Sequence, residues 1–388
     1  MSLRSSLRAI WIFLIILFIV KLDFVSTRDK CRRCEDCLQP THDNCFCERI
    51  SRHNGSNGED VILCKNVDPK FWEIPILQNI RSISFEETNI QNLTRKYLIN
   101  AVFVDDIHLN NTNIEEIQPG SFTRFFSTKT MHLQKNKLSK ISSSLFHTLT
   151  QLTELDLHSN HIDFIKEKAF YWLHSLENLN LADNKLSNLS SALFIRLKNL
   201  KTLNISKNSL TKLESNFSPS QLTTLDISYN DIHELPENLF TYQTNLKVLN
   251  ISKTDIGNLN LTIFKNLNQL HTLSMHSLKL KSFNLKDFVL LPHLKNLDIH
   301  SNNLKFVEDI LNFCPLLEYI SIDGNEFLCT AVESMLKNSK TRNVTIEYTP
   351  NYQNHNIEGI QCAKELQNMV NVTNKSLTSK HVQNKTVQ

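Results

Sequence analysis

The chain has 388 residues, of which 56 are Leu and 44 are Asn but only 6 are Gly, a bias that ordinary globular proteins do not show. The scarcity of Gly excludes collagen-like and Gly-rich linker chains, and it disfavours a phosphate-binding loop, because Gly55 and Gly58 follow no predicted strand. A net charge of +3, from 42 basic and 39 acidic residues, indicates neither a nucleic-acid-binding protein nor a polybasic membrane protein.

Residues 1–27 are predicted to be a signal peptide. Arg4 and Arg8 precede an unbroken apolar run over residues 9–20, which has the length of a signal-peptide core and falls short of the roughly 20 residues that span a bilayer. Retention of this segment as an uncleaved anchor is the alternative. No later segment is apolar for long enough to span a membrane, so the mature chain is predicted to be secreted and extracellular.

Residues 28–79 contain six of the nine cysteines. In a chain with a signal peptide these cysteines indicate disulfides. A small disulfide-bonded segment is therefore predicted to cap the apolar end of the repeats that follow. A zinc site in the same cluster is the alternative, which an oxidising compartment disfavours. The six are Cys31, Cys34, Cys37, Cys45, Cys47 and Cys64.

Residues 80–327 contain eleven copies of the pattern LxxLxLxxNxL, most of them 24 residues apart. We number its positions as columns 1 to 11. Each LxxLxL stretch predicts a short strand with alternate apolar side chains pointing inward, and stacking the strands into a parallel sheet buries what one repeat cannot bury alone. The copies start at Ile80, Val104, Thr128, Leu152, Leu176, Leu200, Leu222, Leu246, Leu270, Leu294 and Leu317.

Column 9 is Asn in seven copies, Thr in three and Leu once, at Leu278. An amide side chain donates and accepts, so this column predicts a ladder of hydrogen bonds to the backbone of the turns. Since Leu278 cannot take part, the ninth repeat is predicted to be locally irregular. Asn is also predicted to replace Gly in the turns, which would explain why Gly is scarce.

A Phe recurs about eighteen residues after most repeat starts, which predicts a stacked aromatic core on the side away from the strands. No helical period is visible there, so short turns or 3₁₀ segments are expected. Cys314 takes the place of a core leucine and is predicted to be a buried free thiol. The phenylalanines are Phe122, Phe146, Phe170, Phe194, Phe217, Phe240, Phe264 and Phe288.

Over residues 37–362 the chain resembles the leucine-rich repeat family, specifically its extracellular 24-residue class. The resemblance implies an α/β leucine-rich repeat solenoid, or horseshoe, with a parallel sheet on the concave face and mostly short turns or 3₁₀ segments on the convex face. It also implies disulfides in the N-terminal cap, Cys37 with Cys47 and Cys45 with Cys64.

At the other end, the resemblance implies a C-terminal cap over residues 328–362 in which Cys329 pairs with Cys362. Cys31 and Cys34 lie outside the family's pattern, and they either bridge each other or link two chains.

Twelve N-x-S/T sequons support secretion. Asn204 and Asn250 fall in column 5, where glycans would shield the middle of the concave face. Residues 363–388 have almost no apolar periodicity and are predicted to be a disordered, glycosylated tail. The sequons are at Asn54, Asn92, Asn110, Asn188, Asn204, Asn216, Asn250, Asn260, Asn343, Asn371, Asn374 and Asn384.

Motifs for hydrolases, metalloproteases, EF-hands and P-loops are absent, so neither an enzyme nor a cofactor is predicted. Column 5 carries His108, His132 and Asp156 on adjacent repeats, which permits a metal or catalytic interpretation. A solvated column is the interpretation we prefer, and no metal site is predicted. His276 and His300 stack in column 7 and could make binding pH-sensitive.

The concave face is predicted to bind an extracellular protein or glycan ligand, and no nucleic acid. Its early repeats are rich in acidic residues and its later repeats in lysine, including Lys207 and Lys253. A homodimer through this face, or through Cys31 and Cys34, is an alternative use. The candidate ligand-binding residues are His108, His132, Asp156, His158, Tyr229, His271, His276, His300 and Tyr319.

The resemblance is to secreted arthropod leucine-rich repeat immune proteins of the type without a coiled coil. It implies a secreted, non-enzymatic recognition protein that binds a macromolecule and serves in innate immunity. A cell-adhesion or axon-guidance protein and a structural protein of the extracellular matrix are the alternatives.

Overall fold

The computed structural model describes residues 46–52, 59–65, 80–95, 103–215, 217, 219–305, 310–352 and 355–363. The chain divides into two compact units, the first ending at Thr202 and the second beginning at Leu203. The predicted signal peptide, nearly all of the predicted tail and four of the cap cysteines lie outside the described residues. These cysteines are Cys31, Cys34, Cys37 and Cys45.

The strands of the first unit are β1 (Phe46–Arg52), β2 (Glu59–Lys65), β3 (Ile80–Glu86), β4 (Asn92–Leu93), β5 (Asp106–His108), β6 (Glu116–Ile117), β7 (Thr130–His132), β8 (Lys140–Ile141), β9 (Glu154–Asp156), β10 (Phe164–Ile165) and β11 (Asn178–Asn180). β1 and β2 form an antiparallel hairpin, and β2, β3, β5, β7, β9 and β11 are parallel neighbours. The short strands pair separately, β4 with β6 and β8 with β10. A 3₁₀ helix covers Ser191–Phe194, and β12 (Thr202–Asn204) lies at the division between the units.

The second unit contains β13 (Thr224–Asp226), β14 (Val248–Asn250), β15 (Thr272–Ser274), β16 (Asn296–Asp298), β17 (Tyr319–Ser321), β18 (Thr345–Glu347), β19 (Asn356–Ile357), β20 (Ile360–Gln361), α1 (Ile310–Phe313) and α2 (Cys329–Arg342). β13 to β18 are parallel in chain order, and β19 and β20 form a hairpin. Two 3₁₀ helices cover Leu261–Phe264 and Leu285–Leu290.

The parallel strands confirm the predicted fold class. In β7, β9 and most later repeat strands the middle residue is buried and its two neighbours are partly exposed, as alternation in a strand that covers a core requires. The register places equivalent residues side by side, for example Leu155 against Leu179. Short 3₁₀ helices and turns connect the strands, which confirms that expectation as well. Among the described helices, none combines the length and apolarity that a membrane crossing requires.

The column 9 amides form the predicted ladder. Asn136 Oδ1 accepts from the backbone N–H groups of Thr112 and Ile114 at 3.0 and 2.9 Å, while its Nδ2 donates to the carbonyls of Leu109 and Leu133 at 2.8 and 2.9 Å. The side chain is 4 % exposed, so these groups have no access to bulk water. Each amide therefore closes its own turn and ties it to the preceding repeat.

Replacing Asn136 with Ala is expected to destabilise the first unit by about 3 kcal/mol, because several buried backbone groups lose their partner at once. Urea denaturation followed by circular dichroism measures the change. The matched control is Asn89→Ala, since Asn89 is exposed and its loss is expected to cost at most about 0.5 kcal/mol. Equal effects of the two substitutions would contradict the ladder.

The turns do not use Asn in place of Gly in the way that the composition predicted. Column 8 adopts a left-handed conformation, with φ of 53° at Ser159, 54° at Tyr229 and 51° at Lys253, and in the described repeats it is Asn only at Asn111. Non-glycine residues seldom adopt this conformation. The same conformation occurs at Lys253 and Ser277, where column 9 is Thr254 and Leu278, so it belongs to the turn itself and does not require a column 9 amide.

The ninth repeat departs from the others only in its turn. Leu278 is fully buried and β15 keeps regular register with β14 and β16. Lys279, in column 10, adopts a second left-handed conformation, with φ of 59°, which among the other described column 10 residues only Asn113 shares, with φ of 56°. Asn302 of the next repeat accepts from the backbone N–H of Leu278 at 2.9 Å and from that of Leu280 at 3.2 Å. The predicted irregularity is therefore confined to the backbone beside Leu278.

The aromatic core is confirmed in both units. All eight phenylalanines are at most 3 % exposed. In the first unit the ring of Phe146 stacks between those of Phe122 and Phe170, with centroid distances of 6.2 and 6.3 Å. In the second unit Phe240 and Phe264 lie 5.8 Å apart. These rings fill the space between the strands and the outer turns.

The cysteines of the described residues fall into three environments. Cys64 in β2 is buried and disulfide-bonded, and it lies opposite Cys47 in the β1–β2 register; its predicted partner Cys45 lies outside the described residues. Cys329, the first residue of α2, forms the predicted disulfide with Cys362. Cys314 is a buried free thiol, as the pattern predicted.

Burial raises the pKa of the Cys314 thiol to about 12, so at pH 8 only on the order of 10⁻⁴ of it is the reactive thiolate. We expect no labelling of Cys314 by iodoacetamide in the folded chain at pH 8 and complete labelling in urea, as read by peptide mass spectrometry. Rapid labelling of the folded chain would contradict this environment.

Candidate ligand-binding surface

Side chains of columns 3, 5 and 7 project from the strands on the side opposite the phenylalanine core, and most are partly exposed. We call this side the open strand face. The sequence-predicted residues on it form a first-unit patch, made of His108, His132, Asp156 and His158, and second-unit residues that are considered separately below.

The rings of His108 and His132 are stacked, with centroids 4.6 Å apart and planes 6° apart. They occupy column 5 of β5 and β7, where the register aligns them directly. Burial lowers the pKa of His108, the neighbouring His132 lowers it further, and Asp106 opposes both effects. The ring is therefore neutral at neutral pH, which allows the two imidazoles to pack face to face.

Two polar atoms in or beside this patch are buried without a hydrogen-bond partner among the described residues, namely Nδ1 of His132 and Oε1 of Gln134, which lies two residues further along the chain. Such atoms are rare in folded proteins because each costs free energy until it is paired. Gln134 was not among the predicted residues, and its column 7 position was the only signal in the sequence. Since both atoms are buried, a polar ligand group can pair with them only after their side chains turn outward.

Asp156 and His158 form the other half of the patch. The carboxylate Oδ1 of Asp156 is 2.7 Å from Nδ1 of His158 and accepts from its backbone N–H at 3.0 Å. Asn180 approaches the same ring nitrogen at 3.4 Å. The imidazole is thereby held in one orientation on the open strand face.

Acidification is expected to destabilise the first unit through His108. Because its pKa is lowered below 6.5 in the folded chain, the unfolded chain takes up this proton first. The contribution of the neutral His108 ring to the free energy of unfolding is complete above pH 6.5 and is lost as the pH falls towards the lowered pKa. Urea midpoints at pH 7.5 and 5.5 measure the loss, which His108→Gln should reduce and His147→Gln should not. An unchanged pH dependence in His108→Gln would contradict the cause.

In the second unit the structure brings His276 and His300 together. Their rings are stacked, with centroids 4.1 Å apart and planes 14° apart. Nδ1 of His300 lies 2.5 Å from Oδ1 of Asp298, a residue that was not among the predicted ones. Burial lowers the pKa of His276. The neighbouring His300 lowers it further, Asp298 raises it, and Lys253 has a smaller lowering effect.

Tyr229 is 42 % exposed and lies between two lysines. Nζ of Lys253 is 4.6 Å and Nζ of Lys207 is 5.8 Å from the centre of its ring. All three occupy column 8 of successive repeats, so the turns present an aromatic ring flanked by positive charge. The remaining predicted residues lie apart from Tyr229 and its two lysines. His271 contacts the carbonyl of Gln269, and Tyr319 lies in β17.

Ion pairs between adjacent repeats neutralise part of the predicted charge gradient. Within the first unit Lys129 lies 3.2 Å from Asp105 and Lys201 lies 2.8 Å from Glu177. These pairs are exposed and add little stability. They leave the histidines and aromatic residues as the distinctive chemistry of the open strand face.

Three predicted glycosylation sites lie on this face, Asn110 in column 7 and Asn204 and Asn250 in column 5. Asn204 and Asn250 are half-buried, and each accepts from the backbone N–H of the serine of its own sequon, Ser206 at 3.0 Å and Ser252 at 3.1 Å. Asn110 is also half-buried, whereas Asn92, Asn188, Asn260 and Asn343 are exposed. Outside the described residues lie Asn54, Asn216, Asn371, Asn374 and Asn384.

Comparisons with known proteins agree with this architecture. Residues 103–162 and 126–186 match the family model described as "Leucine rich repeat". Residues 163–288 and 233–357 match the model described as "BspA type Leucine rich repeat region (6 copies)". No curated protein matches the chain.

Two solved structures share the fold. The crystal structure of the APL1 leucine-rich repeat domain is 17 % identical, with a TM-score of 0.54, over 79 % of this chain and 98 % of that one. The crystal structure of an LRIM1/APL1C complex is 16 % identical, with a TM-score of 0.52, over 86 % of this chain and 74 % of that one. At these identities the likeness extends to the fold alone.

Proposed function

This chain belongs to the leucine-rich repeat family, and we propose that it is a secreted, non-enzymatic recognition protein that binds a macromolecular ligand, a protein or a glycan, through the open strand face. Such sheets offer a broad and rigid surface of side chains that can vary without disturbing the core. The signal-peptide pattern and the sequons support secretion.

The first-unit patch is the observation that carries this proposal. His108 and His132 are stacked and His158 is held by Asp156, so little side-chain entropy remains to be lost on binding. Nδ1 of His132 and Oε1 of Gln134 are buried without partners, and a rotation of either side chain on binding would let a polar ligand group pair with it and recover the free energy that its burial costs. The patch is therefore ordered in advance and incomplete in its hydrogen bonding.

Tyr229 supports a second contact region in the second unit. An exposed aromatic ring with lysines beside it combines a rigid apolar contact with a preference for negative charge. The ligand groups suited to it are carboxylates, sulfates or phosphates close to an apolar surface.

The physiological role that we propose is innate immune recognition, which the resemblance of the sequence to secreted arthropod immune proteins implies. One of the solved structures with this fold is a complex of two named proteins, LRIM1 and APL1C, which supports a protein as the partner of this chain. Adhesion or axon guidance is the alternative role. An increase in transcript and protein after microbial challenge would support the immune role. The expression of an adhesion or guidance protein should instead depend on tissue and developmental stage.

Affinity capture from extracellular fluid tests the proposal. The mature chain is compared with a strand-face variant, His108→Ala with His132→Ala, and with Trp172→Ala as the matched control on an outer turn, where Trp172 is 46 % exposed. We expect the wild type and the control to capture the same partner and the strand-face variant to lose at least about 1.4 kcal/mol of affinity, a tenfold change. Capture that depends on Trp172 but not on the histidines would contradict the proposal.

A further inference from the structure

We propose that His276, Asp298 and His300 form a binding site for a divalent transition-metal ion, Zn²⁺ in particular. Among the residues that the structure describes, they make the one group of three metal-ligating side chains whose candidate ligand atoms all lie within 4.8 Å of one another. The site does not depend on the macromolecular ligand proposed above.

The repeat geometry brings the three ligands together. His276 and His300 occupy column 7 of adjacent repeats, one following β15 and the other following β16. Asp298 ends β16 in the same repeat as His300, and Ser274 is its register partner in β15. The backbone positions are thus fixed by paired strands, and only side-chain rotation is left to adjust the site.

The donor set is one that zinc uses. Two imidazoles and one carboxylate provide three protein ligands and leave the fourth tetrahedral position for water or for a group of a partner. Ligand atoms about 2.0–2.2 Å from zinc are about 3.3 Å apart in a tetrahedron. Candidate atoms that start up to 4.8 Å apart must approach by up to about 1.5 Å to reach this spacing. The 2.5 Å contact between Nδ1 of His300 and Oδ1 of Asp298 must open by about 0.8 Å or give way to the other ligand atoms of these side chains. His300 and Asp298 are 33 % and 28 % exposed, which leaves room for that adjustment.

Neighbouring hydroxyl groups orient the ligands. Oγ of Ser274 donates to Oδ2 of Asp298 at 3.2 Å and lies 2.7 Å from Oγ of Ser252. Oγ of Ser277 lies 3.0 Å from Nδ1 of His276. Hydrogen bonds of this kind fix the direction of metal ligands and contribute to affinity.

The comparable place in the first unit lacks a second histidine in column 7. Asp156 and His158 reproduce the pair formed by Asp298 and His300, but the equivalent position one repeat earlier is Gln134. An Asp-His pair alone offers too few ligands for a closed zinc site. The preceding His276 is therefore the feature that distinguishes the second-unit cluster from a structural ion pair.

Zinc titration of the secreted, tag-free full chain tests the site, after removal of metal with a chelator and with Zn²⁺ alone as the probe. Isothermal titration calorimetry is expected to show one ion bound per chain at micromolar or lower Kd. His276→Gln, Asp298→Asn and His300→Gln are each expected to weaken binding by at least about 100-fold. His293→Gln, an exposed histidine of the same unit, should bind like the wild type.

Cobalt substitution in the wild-type chain keeps the test decisive if a variant fails to fold. Co²⁺ at this site should give the visible absorption of a tetrahedral ion with nitrogen and oxygen ligands, without the charge-transfer band that cysteine thiolates produce. No stoichiometric zinc binding, binding that survives all three substitutions, or a thiolate band in place of the expected spectrum would overturn the proposal.

Discussion

Replacing Phe146 with Ala is expected to lower the free energy of unfolding by about 4 kcal/mol, because the change removes a large buried ring and leaves a cavity. Phe146 is fully buried between Phe122 and Phe170. The repeats contact only their neighbours, so the loss should be largest in the repeats that these three rings join. Urea denaturation gives the free energy, and hydrogen exchange by mass spectrometry locates it.

The control for this prediction is Phe126→Ala, since Phe126 is 58 % exposed and its truncation is expected to cost at most about 0.5 kcal/mol. A loss below about 1 kcal/mol for Phe146→Ala would show that the stacked rings are not the core of the first unit.

Removing the disulfide between Cys329 and Cys362 is expected to destabilise the C-terminal end of the second unit by about 4 kcal/mol, which is the loop-closure value for a separation of 33 residues. The double substitution Cys329→Ser with Cys362→Ser is the variant to measure. Amides of α2 and β18 should lose protection in hydrogen exchange, while those of β13 and β14 keep theirs.

Lys340→Ala is the matched control for the disulfide. It removes an exposed ion pair with Glu358, 2.7 Å long, in the same region, and should cost at most about 1 kcal/mol. Uniform loss of protection throughout the second unit, or none in α2, would contradict a disulfide that stabilises this end locally.

The sequence predicts the fold well because the signal repeats. A wrong assignment in one copy would disagree with the ten other copies. The buried positions of Leu155 and Leu179 therefore follow directly from the period of the pattern. The same argument places Cys314 in the core, since it occupies a position that other repeats fill with leucine. The volume and polarity of a side chain decide whether it fits a packed position, and both follow from the residue type.

Conformation and hydrogen bonding at single positions were not predictable in this way. Tyr229 and Lys253 adopt left-handed backbone conformations that their residue types disfavour, because the geometry of the turn imposes them. For the candidate site, column spacing predicts that His276 meets His300. It does not predict that Asp298 turns towards His300 or that Gln134 lacks a partner, since these depend on side-chain rotamers.

Hydroxyl-radical footprinting of the chain, alone and with its captured partner, tests most directly whether recognition occurs on the open strand face. The method reports the solvent exposure of individual histidine and aromatic side chains. We predict that the partner protects His132 on this face and leaves the exposed outer residues Phe126 and Trp172 unchanged. Protection confined to Phe126 and Trp172 would contradict the account.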